Sequence, residues 1–101
     1  METCMNIFDY TTSKTGETFT SLLKHKNIKI NHIVSSNIIE PIEYMQEEDE
    51  WLVLLEGEAT LLINNEEKTL QKGDTLFIPS KVPHNILETK EGTVWLTVHI
   101  F

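Results

Sequence analysis

An all-β fold, either a sandwich or a barrel, is what this sequence predicts for most of its length. Three observations carry that reading. Past residue 27 the apolar residues recur with a period of two. Glycine, asparagine and aspartate clusters punctuate them at intervals of roughly 8–12 residues, the rhythm of short strands joined by turns. No strand-helix-strand alternation, internal repeat or low-complexity segment interrupts the pattern. The 101 residues allow one domain with a small core. The division expected is an N-terminal arm with a short helix over 1–27 and a barrel over 28–101.

Each element has its own justification. Residues 1–14 mix polarities around Ile7, Phe8 and Tyr10, which suits an edge strand or a segment lying across the barrel. Over 15–27, Phe19, Leu22 and Leu23 follow i, i+3, i+4 spacing, which lines one helical face. Thr15 suits the cap, Glu17 the first turn, and Lys24, His25 and Lys26 the last. Asn27 suits a left-handed stop. Beyond it, strands are expected over 28–34, 42–47, 50–55, 59–63, 66–70, 75–78, 84–89 and 93–101, roughly eight in all, with 37–41 as a connection. Gly57, Gly73-Asp74 and Gly92 mark turns, and Asn64-Asn65 suits a tight hairpin. Pro79 and Pro83 fall at strand ends, where a missing N–H does no harm.

Several strands are apolar on both faces. Trp51, Val53 and Leu55 alternate with Leu52 and Leu54, and Val94, Leu96, Val98 and Ile100 alternate with Trp95 and Phe101. A sheet with one face in water should be polar on that face. The N-terminal segment can cover part of the outer surface, and a second subunit related by twofold symmetry can cover the rest. A homodimer is therefore expected.

Composition excludes several classes. A net charge of −8 argues against nucleic acid and against anionic membranes. Cys4 is the single cysteine, so no intrachain disulfide is expected and the thiol reads as a bystander. Neither a signal sequence nor an apolar run of about 20 residues is visible. A reducing, cytoplasmic setting fits these features.

Two stretches carry the chemistry. Residues 44–57 offer Tyr44, Gln46 and Glu50, then an apolar run closed by Gly57. Residues 73–84 offer Gly73-Asp74, a short apolar strand, a loop bracketed by Pro79 and Pro83, and His84. Together they resemble the two motifs of the cupin family. Glu50, six residues and Gly57 match the end of motif one, while Gln46 and Tyr44 fall on its two histidines and Ile38 on its leading glycine. In motif two, Gly73, Pro79 and His84 match, while Lys81 replaces the internal glycine and Glu88 the final asparagine. The Tyr-x-Gln-x-x-x-Glu-Trp form, with the segment Val94-Trp95-Leu96-Thr97-Val98-His99, is similar to a subgroup of small, RmlC-like single-domain cupins. The fold this resemblance implies is a double-stranded β-helix, or jelly-roll barrel.

The resemblance also implies a site in the barrel mouth. Family members with two motif-one histidines hold a divalent ion there, commonly iron, manganese, nickel or zinc. The counterparts here are Tyr44, Gln46, Glu50 and His84, which makes Gln46, Glu50 and His84 the candidate metal ligands. Glu50 and neutral His84 are good donors. A glutamine carbonyl is a poor one for transition metals, and a tyrosine binds only as phenolate. A weakly held ion, or none, follows, unless His99 also points inward. The bland reading makes Tyr44 and Gln46 polar pocket-lining groups beside Glu50 and His84. Either way a polar cavity for a small-molecule ligand is expected. The alternative is an enzyme: a metal-dependent dioxygenase or isomerase, or a metal-free isomerase of a sugar or small acid. In it, Glu50, His84 and Tyr44 would be the catalytic groups. Of the remaining candidates, 47–49 read as a solvated loop, His25 as a helix-end cation and His32 as a solvent-side strand residue. Trp51 and Trp95 read as core or interface, and Lys81 as an exposed cation near the mouth.

Overall fold

The computed structural model describes residues 6–12, 14–40 and 42–101. The expectations placed on Cys4 and Pro41 lie outside the described residues. Nine strands form among the described ones: β1 (Glu17–His25), β2 (Ile28–Ser35), β3 (Glu43–Tyr44), β4 (Asp49–Glu56), β5 (Glu58–Ile63), β6 (Glu66–Gln71), β7 (Thr75–Ile78), β8 (His84–Thr89) and β9 (Thr93–Ile100). They build a five-stranded sheet in the order β1-β2-β9-β4-β7 and a four-stranded sheet in the order β3-β8-β5-β6. Every ladder is antiparallel. The fold is the all-β jelly roll that the sequence predicts.

The helix over 15–27 does not form; β1 occupies its place. Thr18, Phe19 and Thr20 favour a strand, and the segment pairs with β2 along its length. A bulge between Ser21 and Leu23 breaks the alternation, so Phe19 and Leu22 stand three apart as they would on a helix. His25 is accordingly an exposed residue at a strand end. The left-handed residue of the β1–β2 turn is Lys26, at φ 54°, and not Asn27. Asn27 instead holds the chain end, its carbonyl accepting from the Phe101 N–H at 2.7 Å.

The strand expected over 42–47 shrinks to Glu43–Tyr44, because the chain leaves the sheet to reach β4 on the other one. The Asn64-Asn65 turn forms as expected. Both residues take positive φ, at 49° and 65°, as the two-residue turn between Ile63 and Glu66 requires.

The core lies between the sheets. Leu52, Leu54 and Ile78 meet Trp95 on one side and Ala59, Leu61, Ile63 and Leu70 on the other. Alternation along β4 sends Glu50, Leu52 and Leu54 inward, while Trp51, Val53 and Leu55 face out. Part of the outer face is covered by the N-terminal arm. His32, expected on the solvent side, is only 6% exposed. It lies under the arm, its Nε2–H donating to the Ile7 carbonyl at 2.7 Å, with Tyr10 tilted against its ring.

Candidate functional site

The inner faces of the two sheets part at one place to leave a cavity of about 180 Å³. Tyr44, Gln46, Glu50 and His84 all line it, as does His99. Glu50 comes from β4 in one sheet and His84 from β8 in the other, so the carboxylate and the imidazole approach the hollow from separate walls. Each is 7% exposed.

Local structure fixes these groups. Gln46, in the loop before β4, donates its Nε2–H to Glu50 Oε1 at 2.8 Å. Its own carbonyl accepts from the Lys81 N–H at 2.7 Å. The two motif loops are thereby tied at the rim. Lys81, which stands where the motif has glycine, adopts φ 65°. The loop keeps the left-handed turn although the side chain adds strain there. Asp49 Oδ1 accepts from the Ser80 N–H at 2.8 Å and holds the same loop. His84 opens β8 opposite Tyr44 in register. Their rings stack with centroids 5.8 Å apart.

The hydrogen bonds fix which tautomer the neutral imidazole adopts. His84 Nδ1 lies 3.1 Å from the Val82 carbonyl. A carbonyl can only accept, so Nδ1 carries the hydrogen and the neutral ring keeps its lone pair on Nε2. Among the described residues neither that Nε2 nor Glu50 Oε2 has a hydrogen-bond partner. No fully buried side-chain nitrogen or oxygen lacks a partner among them, so both free atoms open onto the hollow. Tyr44 stays a neutral phenol: burial pushes it above its ordinary value, and the Glu17 and Glu40 carboxylates push it further.

Several functional positions escaped the sequence reading. Glu17 and Phe19, assigned to a helix, line the cavity from β1. Trp95 Nε1–H donates to Ser35 Oγ at 2.9 Å, and that hydroxyl donates to Glu17 Oε2 at 2.5 Å. The signal was present in the alternation of Glu17, Phe19 and Ser21. Glu48, expected in a solvated loop, is folded back: its carboxylate accepts from His99 Nδ1 at 3.0 Å. His99 faces inward, but Thr97 Oγ1 engages its other ring nitrogen at 3.2 Å. The cavity is also less polar than expected. Ile33, Leu52, Leu61, Ile78, Ile86 and Trp95 make its surface chiefly apolar, because both sheets turn their aliphatic rows inward.

A resident transition metal does not fit this donor set. Among the described residues, no three His, Cys, Asp or Glu side chains are grouped to hold an ion. Gln46 turns its amide nitrogen, which cannot ligate, toward Glu50. Tyr44 resists becoming the phenolate that would bind, and both nitrogens of His99 are engaged. One carboxylate, one imidazole and the poor Gln46 carbonyl donor remain, a weaker set than zinc, iron, manganese or nickel sites use.

Comparison with known proteins agrees with this architecture. The cupin domain profile matches residues 38–99. A crystal structure of a candidate mannose-6-phosphate isomerase from Ralstonia eutropha JMP134 superposes with a TM-score of 0.86 at 30% identity, covering 98% of each chain. A cupin superfamily protein of Desulfitobacterium hafniense shares the fold at 18% identity, with a TM-score of 0.81 over 91% of this chain and 84% of that one. An uncharacterized protein of Methanocaldococcus jannaschii is 42% identical over 38 residues, which is 38% of this chain and 30% of that protein's length. With both motif stretches inside the matched span and the fold shared from end to end, this chain belongs to the cupin domain family.

Proposed function

We propose that this protein binds a small organic molecule in the cavity between its sheets. One observation carries the reading: two side chains that are each 7% exposed, Glu50 and His84, keep a polar atom without a partner inside one largely apolar hollow. Buried polar groups are ordinarily satisfied. A ligand that satisfies both would make the site whole. The size suits a ring-sized molecule, since an engineered cavity of about 150 Å³ takes benzene.

The test is a small-molecule panel of sugars, amines, acids and alcohols, followed by amide and indole NMR shifts. Saturable shifts concentrated at Glu50, His84, Trp95 and Ile86 are expected. Binding confined to the outer face, or none across the panel, would sink the reading. Elemental analysis of untagged protein is expected to find substoichiometric metal. Stoichiometric zinc, iron, manganese or nickel, lost in Glu50→Ala and His84→Ala, would restore the metal-site reading.

A second reading has its own support. The 30% identity to the Ralstonia protein extends over 98% of the chain, and Glu50, His84 and Tyr44 form an acid-base set. A metal-free isomerase would use Glu50 to take the proton from the hydroxyl-bearing carbon beside a carbonyl and return it to the former carbonyl carbon. His84 would accept the hydroxyl proton and Tyr44 would donate one to the carbonyl oxygen, the two then exchanging protons to restore the site. Solvent deuterium appearing in mannose 6-phosphate or another sugar, and lost with Glu50→Gln, would select this reading over simple binding.

A second copy of the chain is the proposed partner, and a reducing cytoplasm the proposed setting. Trp51 and Phe77 pair across β4 and β7 on the outer face at 38% and 52% exposure.

A further inference from the structure

The ligand's charge can be read from what lines the cavity, on the footing that the cavity is a binding site. Glu50 brings a desolvated carboxylate whose only described partner is one hydrogen of a neutral amide. Burying an anion is costly unless a cation or several donors meet it. Ile78 and His99 flank Glu50 in register on β7 and β9. His99 points Nδ1 at Glu48 and shares Nε2 with Thr97. Across the hollow, neutral His84 directs its Nδ1–H to the Val82 carbonyl and leaves the Nε2 lone pair without a described partner.

Lysine and arginine are absent from the lining, whereas Glu17 adds a second carboxylate to it. Lys81, on the motif-two loop, is 69% exposed, with its ammonium 3.8 Å from Glu47. The site thus holds no permanently charged cation and presents two acceptors, Glu50 Oε2 and His84 Nε2, against aliphatic walls. Phe19, Tyr44 and Trp95 also line it, and aromatic ring faces attract cations. The net charge of −8 raises the local concentration of cations around the whole molecule.

We infer that the cavity takes a small organic ammonium ion on a compact hydrocarbon body, and turns away phosphorylated and carboxylate ligands. The ammonium group donates to Glu50 Oε2 and to His84 Nε2. Its hydrocarbon packs on Leu61, Ile78 and Ile86. A sugar phosphate meets two carboxylates and no lysine or arginine, so the chemistry printed in the Ralstonia protein's name does not suit this hollow.

The experiment holds the ring constant and changes the head group. Cyclohexylammonium, cyclohexanol, cyclohexanecarboxylate and mannose 6-phosphate are titrated calorimetrically into the wild-type protein at neutral pH. The ammonium compound is expected to bind at least about tenfold tighter than the alcohol, with both anions weaker still. Glu50→Gln is expected to lower ammonium affinity about tenfold and alcohol affinity less than about twofold. An alcohol or anion that binds as tightly as the ammonium ion overturns this inference and leaves the small-molecule reading standing. No binding by any of the four, nor by the wider panel, overturns both. Should Glu50→Gln not fold, the head-group order on the wild type decides the matter.

Discussion

Tyr44 is where one side chain's environment makes a measurable claim. Its phenol is raised above the ordinary 10.0, first by burial and then by Glu17 and Glu40. Folding therefore favours the neutral form. The sign follows from linkage: this contribution is fully present below pH 10 and is lost as pH rises through the folded value. Spectrophotometric titration should show one tyrosine ionising late, and Tyr44→Phe should remove that step and flatten the stability loss above pH 10. Equal ionisation of all tyrosines near the ordinary value would contradict the assignment. Ser35 makes a second claim. Its hydroxyl accepts from Trp95 and donates to Glu17, and it is fully buried. Ser35→Ala leaves an indole N–H and a carboxylate without their partner and should cost about 2–3 kcal/mol in denaturant unfolding. At this scale the sequence was informative about Glu50 and His84, because their motif spacings are distinctive. It placed Trp95 as core or interface, which the core position matches, but misplaced Glu17 and Glu48, and it did not reveal hydrogen bonds to partners 18, 51 and 60 positions away.

Among the elements, the turns were the most legible and the first strand the least. Gly57 closes motif one for a physical reason. It has φ 90°, and a Cβ there would sit 2.7 Å from the Thr93 Cα. Gly73 has φ 88° with nothing within 4 Å of its Cβ position. The two motif glycines should therefore respond differently. Gly73→Ala bears only the left-handed conformation, at about 1–2 kcal/mol. Gly57→Ala adds a backbone clash and should cost about 2–4 kcal/mol. Paired urea melts would compare them, and equal losses would mean that the β4–β5 turn yields at no cost. The β1 segment shows how local spacing misleads. Phe19, Leu22 and Leu23 satisfy a helical template only because a bulge inserts one residue into a strand. Pairing with β2 across the whole hairpin outweighs so short a helical signal. The strand at 42–47 failed for a related cause: apolar residues there serve a crossing between sheets, which periodicity does not register.

For the whole molecule, the two-faced apolar strands foretold a covered outer surface, and the arm anchored on His32 supplies part of the cover. The remainder around Trp51, Phe77 and Ile100 is proposed as the dimer face. Sedimentation should find a dimer, and Val98→Glu, outside the cavity, should produce monomers that still bind ligand. A wild-type monomer at high concentration would remove that proposal. The cavity's contents were harder to foresee, since polar and aliphatic linings arise from how two sheets face each other and no single strand records that. Gln46 carries a last consequence. Its side chain addresses Glu50, while its main-chain oxygen receives Lys81. Every amino acid has that oxygen, so any exchange at position 46, including a return to the family's histidine, alters the hollow's chemistry and leaves the seam between the loops sewn. Proline at 81, which lacks the N–H, is the exchange that would unpick it.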